Sequence, residues 1–476
     1  MPSYKAPGVY VQDIVSGSQS ISLASSSVGI LIGVAKAGIT NTAVKIGSWT
    51  EFISNFANGL DTPFMENSYL PYAVHGFFTN GGKELYIGNV KKNAKKATKT
   101  GTSNPIKFTA KSEGVWGNDI KITIAKSEDF TDEVKLYDIT IAIGATDNVV
   151  ITDVTPESVC DMIGSNLKAK AWVEAEFTED VPTELVAEEI TLANGSDGDE
   201  LKDEDYVKAL EMIDVLDDVT MVSIVGQTSK VVNDAILAYC DNNGLFPIID
   251  MPIGSTTEQT KTYRKSIGAF TGALAHPWGK MNDPLTGSLK TVPACGHLMG
   301  VYARVIENRG VHKAPAGVDA VVRGFVEMEY HITPAQLGTL NPIGVVCIMS
   351  RPNAGIVVWG ARSLNNSDST MKYVTDGLLN LSIKKSLYNG TQFAVFEPNN
   401  EALWTKVEST CNAFLETLRQ SGALKGSAEE AYYVTVNDTN NTDATIAEGQ
   451  LNIEIGYAPV KPAEFVIIKL AHSMQN

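Results

Sequence analysis

Cysteine is scarce and scattered. Cys160, Cys240, Cys295, Cys347 and Cys411 are an odd number, far apart, and no CxxC pair occurs. A disulfide framework and a zinc ribbon are therefore unsupported, and most of these residues read as small buried apolar groups. Histidine is equally thin: none of His75, His276, His297, His312, His331 and His472 has another ligand type at metal spacing along one helix or hairpin. No run of about 18 apolar residues exists, so no membrane insertion is expected. The opening MPSYKAPGVYVQDI has no apolar h-region. A signal peptide is not expected, and folding in a cytoplasm is. Basic charge is also short, with 38 Lys and Arg against 55 Asp and Glu and a formal net charge of −17. A nucleic-acid backbone repels such a surface, so direct nucleic-acid binding is not expected.

The acidity is concentrated. Between Lys126 and Asp218 there are 26 acidic and 6 basic residues, so the rest of the chain is close to neutral. Just upstream, Lys91, Lys92, Lys95, Lys96 and Lys99 form a basic, turn-rich stretch without acids. These two breaks in composition mark an inserted domain over roughly 91–205. Asp197 and Asp199 lie in the acidic loop, but the EF-hand spacing is absent. Charge that keeps an exposed domain apart from its neighbours is the preferred reading.

Outside the insertion, patterns alternate. Ser27–Ala35 (SVGILIGVA) suits a buried strand, 50–58 and 69–79 carry helical spacing, and 84–90 reads as a strand. After the insertion, 219–225 and 245–250 read as strands, with helices over 228–241 and 257–273. Strands separated by helices imply crossovers and a parallel sheet, here an α/β domain completed by the segment before residue 91. Within the insertion, 119–125 and 134–143 alternate with period two, and 156–168 suits one helix. Towards the C-terminus, strands are expected at 355–359, 392–396, 449–457 and 463–470. A helix over 401–420 gathers Leu403, Trp404, Val407, Cys411, Phe414, Leu415 and Leu418 on one face, with Gly422 as its stop.

Catalytic signatures fail. Gly76–Lys83 (GFFTNGGK) resembles a phosphate loop but has one residue too many and Glu84 where a hydroxyl should bind magnesium. No GxGxxG, GxSxG or HExxH occurs. The strand ends near 226–228 and 250–252 are the default crevice of an α/β enzyme, and turning the chain is the preferred reading. No cofactor, metal or catalytic residue is expected.

The two ends carry more information. Pro7–Ile14 (PGVYVQDI) is a short strand pattern containing Val9, Tyr10, Val11 and Ile14, followed by a polar small-residue tether, Ser16–Ser27. At the other end, Phe465 and Ile467 point one way along a strand while Val466, Ile468 and Leu470 point the other. A strand apolar on both faces needs partners on both edges. Pro459 and Pro462 interrupt the run before it. Either both segments complete their own sheet, or they add to the sheet edge of a neighbouring copy. Donation from head to tail is a heterologous contact, which makes open helical polymers unless it closes.

At this point the residues become recognisable. The chain resembles the tail sheath proteins of contractile bacteriophages and of related contractile injection systems. The likeness rests on PGVYVQDI, on EGVWGNDIKITI from Glu113 and on DPLTGSLKTVPACGHLMGVYARVIENRGVHKAPAG from Asp283. GIVVWGARSL from Gly355, FEPNNEALW from Phe396 and IEIGYAPVKPAEFVIIKL from Ile453 complete it. One stretch departs from the family: where an arginine-rich WRYVNVRR-type helix often follows, this chain has MKYVTDGLLNLSIKKSL from Met371.

The resemblance implies a mixed α+β, multidomain chain. It would comprise an N-terminal strand and arm (1–26), an α/β middle domain (27–90 plus 206–345), an acidic β-rich outer domain (91–205), a tube-proximal domain (346–458) and a donated C-terminal arm (459–476). It further implies a non-enzymatic homopolymer of stacked rings around an inner tube, with baseplate and tail terminator proteins as partners. Its place would be the virion tail, assembled in a bacterial host cytoplasm. Lys384, Lys385, Lys406 and Arg419 become candidate tube contacts. The sheath of a headless, R-type bacteriocin-like particle is the nearest alternative, and an α/β-domain enzyme the one from another class.

Overall fold

The computed structural model describes residues 20–57, 62–144 and 147–468. Two compact units emerge, one of residues 25–381 with 461–468 and one of residues 20–24 with 382–460. The expected strand Pro7–Ile14, with Val9, Tyr10, Val11 and Ile14, lies outside the described residues, as does Leu470.

The larger unit is built on an eight-stranded sheet. Its order is Gly355–Val358, Val345–Arg351, Ala273–His276, Phe246–Asp250, Met221–Ile224, Gly29–Gly33, Leu85–Asn89 and Ala43–Ile46. The six inner strands are parallel and one antiparallel strand closes each edge. The segment before residue 91 thus completes the sheet, as expected. Burial on both faces explains why GILIG and FPIID are fully buried runs without alternation.

Local chemistry sets the helix ends. Ser229 caps the helix Lys230–Asn243 by accepting from the Val232 N–H at 3.2 Å, and Gly244 ends it at φ 65°. The helix expected over 257–273 stops at Ser266, and Ala273–His276 is instead a parallel strand. The reason is Arg264, whose guanidinium donates to the carbonyls of Ile267, Gly268 and Ile343 and so pins the chain leaving the helix. The expected boundary at 346 also moves. Val345–Arg351 and Gly355–Val358 extend the body sheet, and the two units divide between Leu381 and Ser382.

A helix that periodicity did not reveal, Cys295–Arg309, is buried along nearly its whole length against the helix Leu70–Thr79. Gly296 and Gly300 bring the two backbones together: a Cβ on them would lie 2.3 Å from Ala73 O and 2.4 Å from Phe77 O. His297, between them, is fully buried and stacks on Phe325 at 3.9 Å. Neither of its ring nitrogens has a hydrogen-bond partner among the described residues.

Burial, with the nearby His75 charge, pushes His297 down to about 3, and burial pushes His276 down to about 4. Both therefore stay neutral in the fold while the unfolded chain takes up protons below about 6.5. Their contribution is complete above that value and is lost as the pH falls. Asp250 acts in the opposite sense, because burial raises it to about 7 and the fold holds its proton. Burial lowers His75 and His312 as well, so the histidines outweigh the carboxyl. Stability should thus fall between pH 6.5 and 5, and His297→Leu should lessen that slope. Thermal melts at a series of pH values check this; identical slopes for both proteins would contradict it.

The insertion has its own core, including Phe108, Trp116, Ile122, Ile141, Trp172 and Ile190. Two antiparallel sheets enclose it. One orders Glu188–Thr191, Ile120–Lys126, Tyr137–Ile143 and Asp147–Val154; the other orders Thr98–Thr100, Ile106–Ala110 and Val173–Phe177. Period-two burial in ITIAK and YDITIAI gives the predicted half-buried strands. Lys91, in the basic stretch that opens the insertion, is buried. Its side chain is 2% exposed and its ammonium lies 2.7 Å from Asp197.

In the smaller unit, the helix Glu401–Gln420 buries the seven residues expected, and Asn400 caps it by accepting from the Ala402 and Leu403 N–H groups. The strand expected at 392–396 is absent: Gln392–Ala394 is one 3₁₀ turn, and Phe396 turns back at φ 66°. The final ladder is shorter than expected, Tyr432–Thr435 with Glu454–Tyr457, because Gly449 at φ 73° still belongs to the turn after the helix Asp443–Ala447. Nor is the tether idle where it is described. Ile21 packs beside Trp404 and Val407, and the Ala24 N–H donates to Ser386 Oγ at 2.7 Å.

Candidate assembly site

The chain around Pro459 leaves the smaller unit in a fixed way. The Val460 N–H donates to Ala423 O and the Lys425 N–H to Ala458 O. Within the larger unit, residues 461–464 are held by charge. Lys461 Nζ lies 2.9 Å from Asp376 Oδ2, whose side chain is 1% exposed. The Glu464 carboxylate accepts from Arg362 twice, Nε to Oε1 at 2.9 Å and Nη2 to Oε2 at 2.7 Å. Asn341 Nδ2 and the Tyr373 hydroxyl donate to it as well. Burial raises the Glu464 carboxyl, but the Arg362 and Asn341 hydrogen bonds outweigh it and leave the group below its usual value.

The next residues hold nothing. Phe465, Val466, Ile467 and Ile468 are 72%, 82%, 79% and 77% exposed, and the strand expected from residue 463 does not form over the described residues up to 468, which pair with no described strand. Single exposed apolar side chains are ordinary on protein surfaces, but four large ones in succession mark an interaction site. Beneath this exit a cavity of about 840 Å³ is lined by Pro334, Leu337, Trp359 and Phe465, among others.

The sheet Tyr432–Thr435/Glu454–Tyr457 has two strands only, and no further described strand pairs with either. Two short strands are marginal in water, and added strands stabilise them.

The candidate tube contacts all fall in the smaller unit, on the part of the helix Val374–Gly390 from Ser382 onward and on the helix Glu401–Gln420. Lys384 is exposed and Lys385 half-buried on the helix Val374–Gly390. Lys406 is exposed and sits 4.6 Å from the centre of the Phe393 ring. Arg419 differs. Both of its arms are taken by Glu416, at 2.6 and 2.8 Å, and its hydrogen bonds hold that carboxyl down at about 2. Phe396, expected to end a strand, is fully exposed in the left-handed region. An aromatic residue there costs on the order of 1 kcal/mol or more, so Phe396→Gly should raise the thermal stability of the isolated chain by about that amount.

The motifs weighed for chemistry have structural employment. Gly76 lies inside a helix and Lys83 pairs with Glu307 at 2.5 Å just before the strand Leu85–Asn89. Asp199 accepts from Asn93 at 2.7 Å. At the strand ends, a Cβ on Gly226 would lie 2.6 Å from the Tyr69 ring, and Asp250 accepts the Ala294 N–H at 3.0 Å. Among the described residues no cluster of three or more His, Cys, Asp or Glu could hold a metal, and no helix is long and apolar enough to cross a membrane.

Comparison with known proteins converges. Residues 199–364 match the phage tail sheath protein central domain, and residues 366–471 the phage tail sheath C-terminal domain. The chain belongs to the phage tail sheath protein family. Among sheath proteins, that of Escherichia phage P2 is 22% identical over 255 residues, which cover 52% of this chain and 62% of the relative. That of Vibrio phage KVP40 is 20% identical over 221 residues, 46% of this chain and 32% of the relative. The chain therefore matches less than two thirds of the length of these relatives.

Solved sheath structures align over nearly the whole chain. The helical sheath of the anti-feeding prophage in its contracted state has a TM-score of 0.62 and 20% identity, covering 99% of this chain and 100% of that one. The contracted sheath of the extracellular contractile injection system PVC has a TM-score of 0.63 and 21% identity, covering 99% of each. A sheath tail protein from Desulfitobacterium hafniense has a TM-score of 0.65 and 16% identity, covering 90% and 93%. These likenesses establish the sheath-protein fold.

Proposed function

We propose that this sheath-family chain is the repeating, non-enzymatic subunit of a contractile tail sheath. The observation that carries this reading is the uncovered run Phe465–Ile468 beyond a pinned root, in a segment that the sheath C-terminal domain match includes. Each copy would add this strand to the Tyr432–Thr435/Glu454–Tyr457 sheet of a neighbour, with the N-terminal segment around Val9–Ile14 joining the same ladder. Main-chain hydrogen bonds then supply affinity, and alternate side chains supply specificity. Because the contact is heterologous, it propagates as a helix of stacked rings.

Contraction in this reading is rigid-body rearrangement of a lattice assembled in a metastable form around an inner tube. Its work comes from surface newly buried between copies, at ~25 cal/mol per Å² of apolar area, multiplied over many copies. No nucleotide enters. The acidic insertion faces outward. Baseplate proteins trigger the change and a terminator caps it. Assembly takes place in the cytoplasm of a bacterial host, and the tube is driven through an envelope to deliver a genome. The curated relatives are phage proteins, whereas full-length structural matches include an extracellular injection system, so a headless particle using the same sheath is the second reading.

Concentrated purified protein should form hollow tubes in negative-stain electron microscopy. A protein that stays monomeric at every concentration would count against the proposal. For the tube contact, charge reversal at Lys384, Lys385 and Lys406 should reduce co-assembly with tube by about tenfold or more while sparing sheath-only polymers; Arg419, already neutralised, should matter least. Co-sedimentation measures both, and equal loss of the two would refute a separate tube face.

A further inference from the structure

The root of the C-terminal arm is fastened far more firmly than a tether requires. Glu464 is 18% exposed at its side chain and Arg362 12%, and the carboxylate receives hydrogen bonds from three residues. Three positions earlier, Lys461 joins the buried Asp376 and also donates to Thr370 O at 3.1 Å. Asp376 in turn accepts from the Tyr373 N–H at 3.0 Å, and Tyr373 and Arg362 form an isolated antiparallel bridge. Both pins thus converge on the short stretch 370–376 and on Arg362 opposite it. Exposure jumps at the very next residue, Phe465.

We propose that Glu464, with Lys461, is a register clamp: it fixes where the donated strand begins, and so which of its side chains meet which pocket of the acceptor copy. The physical need is specific. Side chains along a strand alternate faces, so a slip of one residue would exchange Phe465 and Ile467 for Val466 and Ile468 at every position. The run is apolar on both faces, and its own pattern specifies register poorly. An external stop is required. From Glu464 the four described apolar residues reach only about 13 Å, so pinning that residue fixes the strand start relative to the body. A bidentate arginine–carboxylate pair suits the task because its geometry is directional as well as strong. Ordering the root before assembly also removes entropy that association would otherwise have to overcome.

This inference rests on strand donation, and its test separates the two. Glu464→Gln leaves size and shape nearly unchanged and removes the charge. The folded chain should keep its melting temperature within about 2 °C, since the clamp holds only the arm. A nitroxide label at Ala463→Cys, in a Cys160→Ser background, should be immobile in the parent and mobile with Glu464→Gln. The critical concentration for polymerisation should rise about tenfold, equivalent to ~1.4 kcal/mol per added copy. The exchange Arg362→Glu with Glu464→Arg should restore most of it. An equally immobile label, an unchanged critical concentration, or failure of the charge exchange to rescue would each overturn the clamp. Should deletion from Phe465 onward leave polymerisation intact, donation itself fails, whatever the clamp variants do.

Discussion

Deletion of every residue from Phe465 onward is expected to give a folded chain that no longer polymerises. Folding should be spared because Phe465–Ile468 are exposed by 72–82% and pair with no described strand. Assembly should not be. Burying Phe, Val and two Ile in a neighbour is worth about 1.5–3 kcal/mol for each side chain. Ordering each residue removes roughly 1–2 kcal/mol of that. A surplus of a few kcal/mol per copy remains, so the critical concentration should rise by at least about a hundredfold. Analytical ultracentrifugation reads both parts of the result. A truncated chain that forms tubes at the parent's concentration would show that the exposed run is not what joins copies.

The largest effect on the fold itself is expected at Gly300. Alanine in a helix is ordinarily better than glycine by about 1 kcal/mol. Here the new methyl would lie 2.4 Å from Phe77 O and 2.9 Å from Phe77 Cα, and Gly296 is similarly placed against Ala73. Backbone cannot move aside as a side chain can, so the helices Leu70–Thr79 and Cys295–Arg309 must separate. Overpacking of this kind costs about 1–3 kcal/mol, and more when backbone is the obstacle. Gly300→Ala should therefore lower stability by up to about 2 kcal/mol net, and Gly300→Val should prevent folding of the larger unit. Gly338, in the helix Pro334–Leu340 with open space at its Cβ position, is the control. Gly338→Ala should stabilise by up to about 1 kcal/mol. Chemical denaturation would compare them; a Gly300→Ala chain as stable as Gly338→Ala would mean that the helix pair has room to spare.

How far the sequence could be read depended on where each element's partners lie. Glu401–Gln420 was legible because one face is buried and the other wet, which writes a 3.6-residue period into the chain. Two of the insertion's strands, Ile120–Lys126 and Tyr137–Ile143, were legible for the same reason with period two, while its other strands were not. Cys295–Arg309 left no such trace, because a helix buried nearly all round has no polar face to mark its period. Its pair of glycines four residues apart was the available signal for close helix packing. Ala273–His276 is four residues long, too short to show a pattern of its own, and Arg264 makes the helix before it end early. At the candidate site, the two-faced apolar run of the arm was plain from residues 465–470. The clamp was not: Arg362 and Glu464 are 102 positions apart, and nothing in either neighbourhood announces the other. The Lys91–Asp197 pair was hidden for a related reason, since the two residues lie 106 positions apart.

If main chain joins the copies, an electron cryomicroscopy map of the assembled polymer that traces strands will show it. Phe465–Ile468 of one copy should be laddered onto the Tyr432–Thr435/Glu454–Tyr457 sheet of another, with Glu464 still seated on its own Arg362. A lattice in which those residues return to their own chain, and only side chains meet between copies, would contradict it.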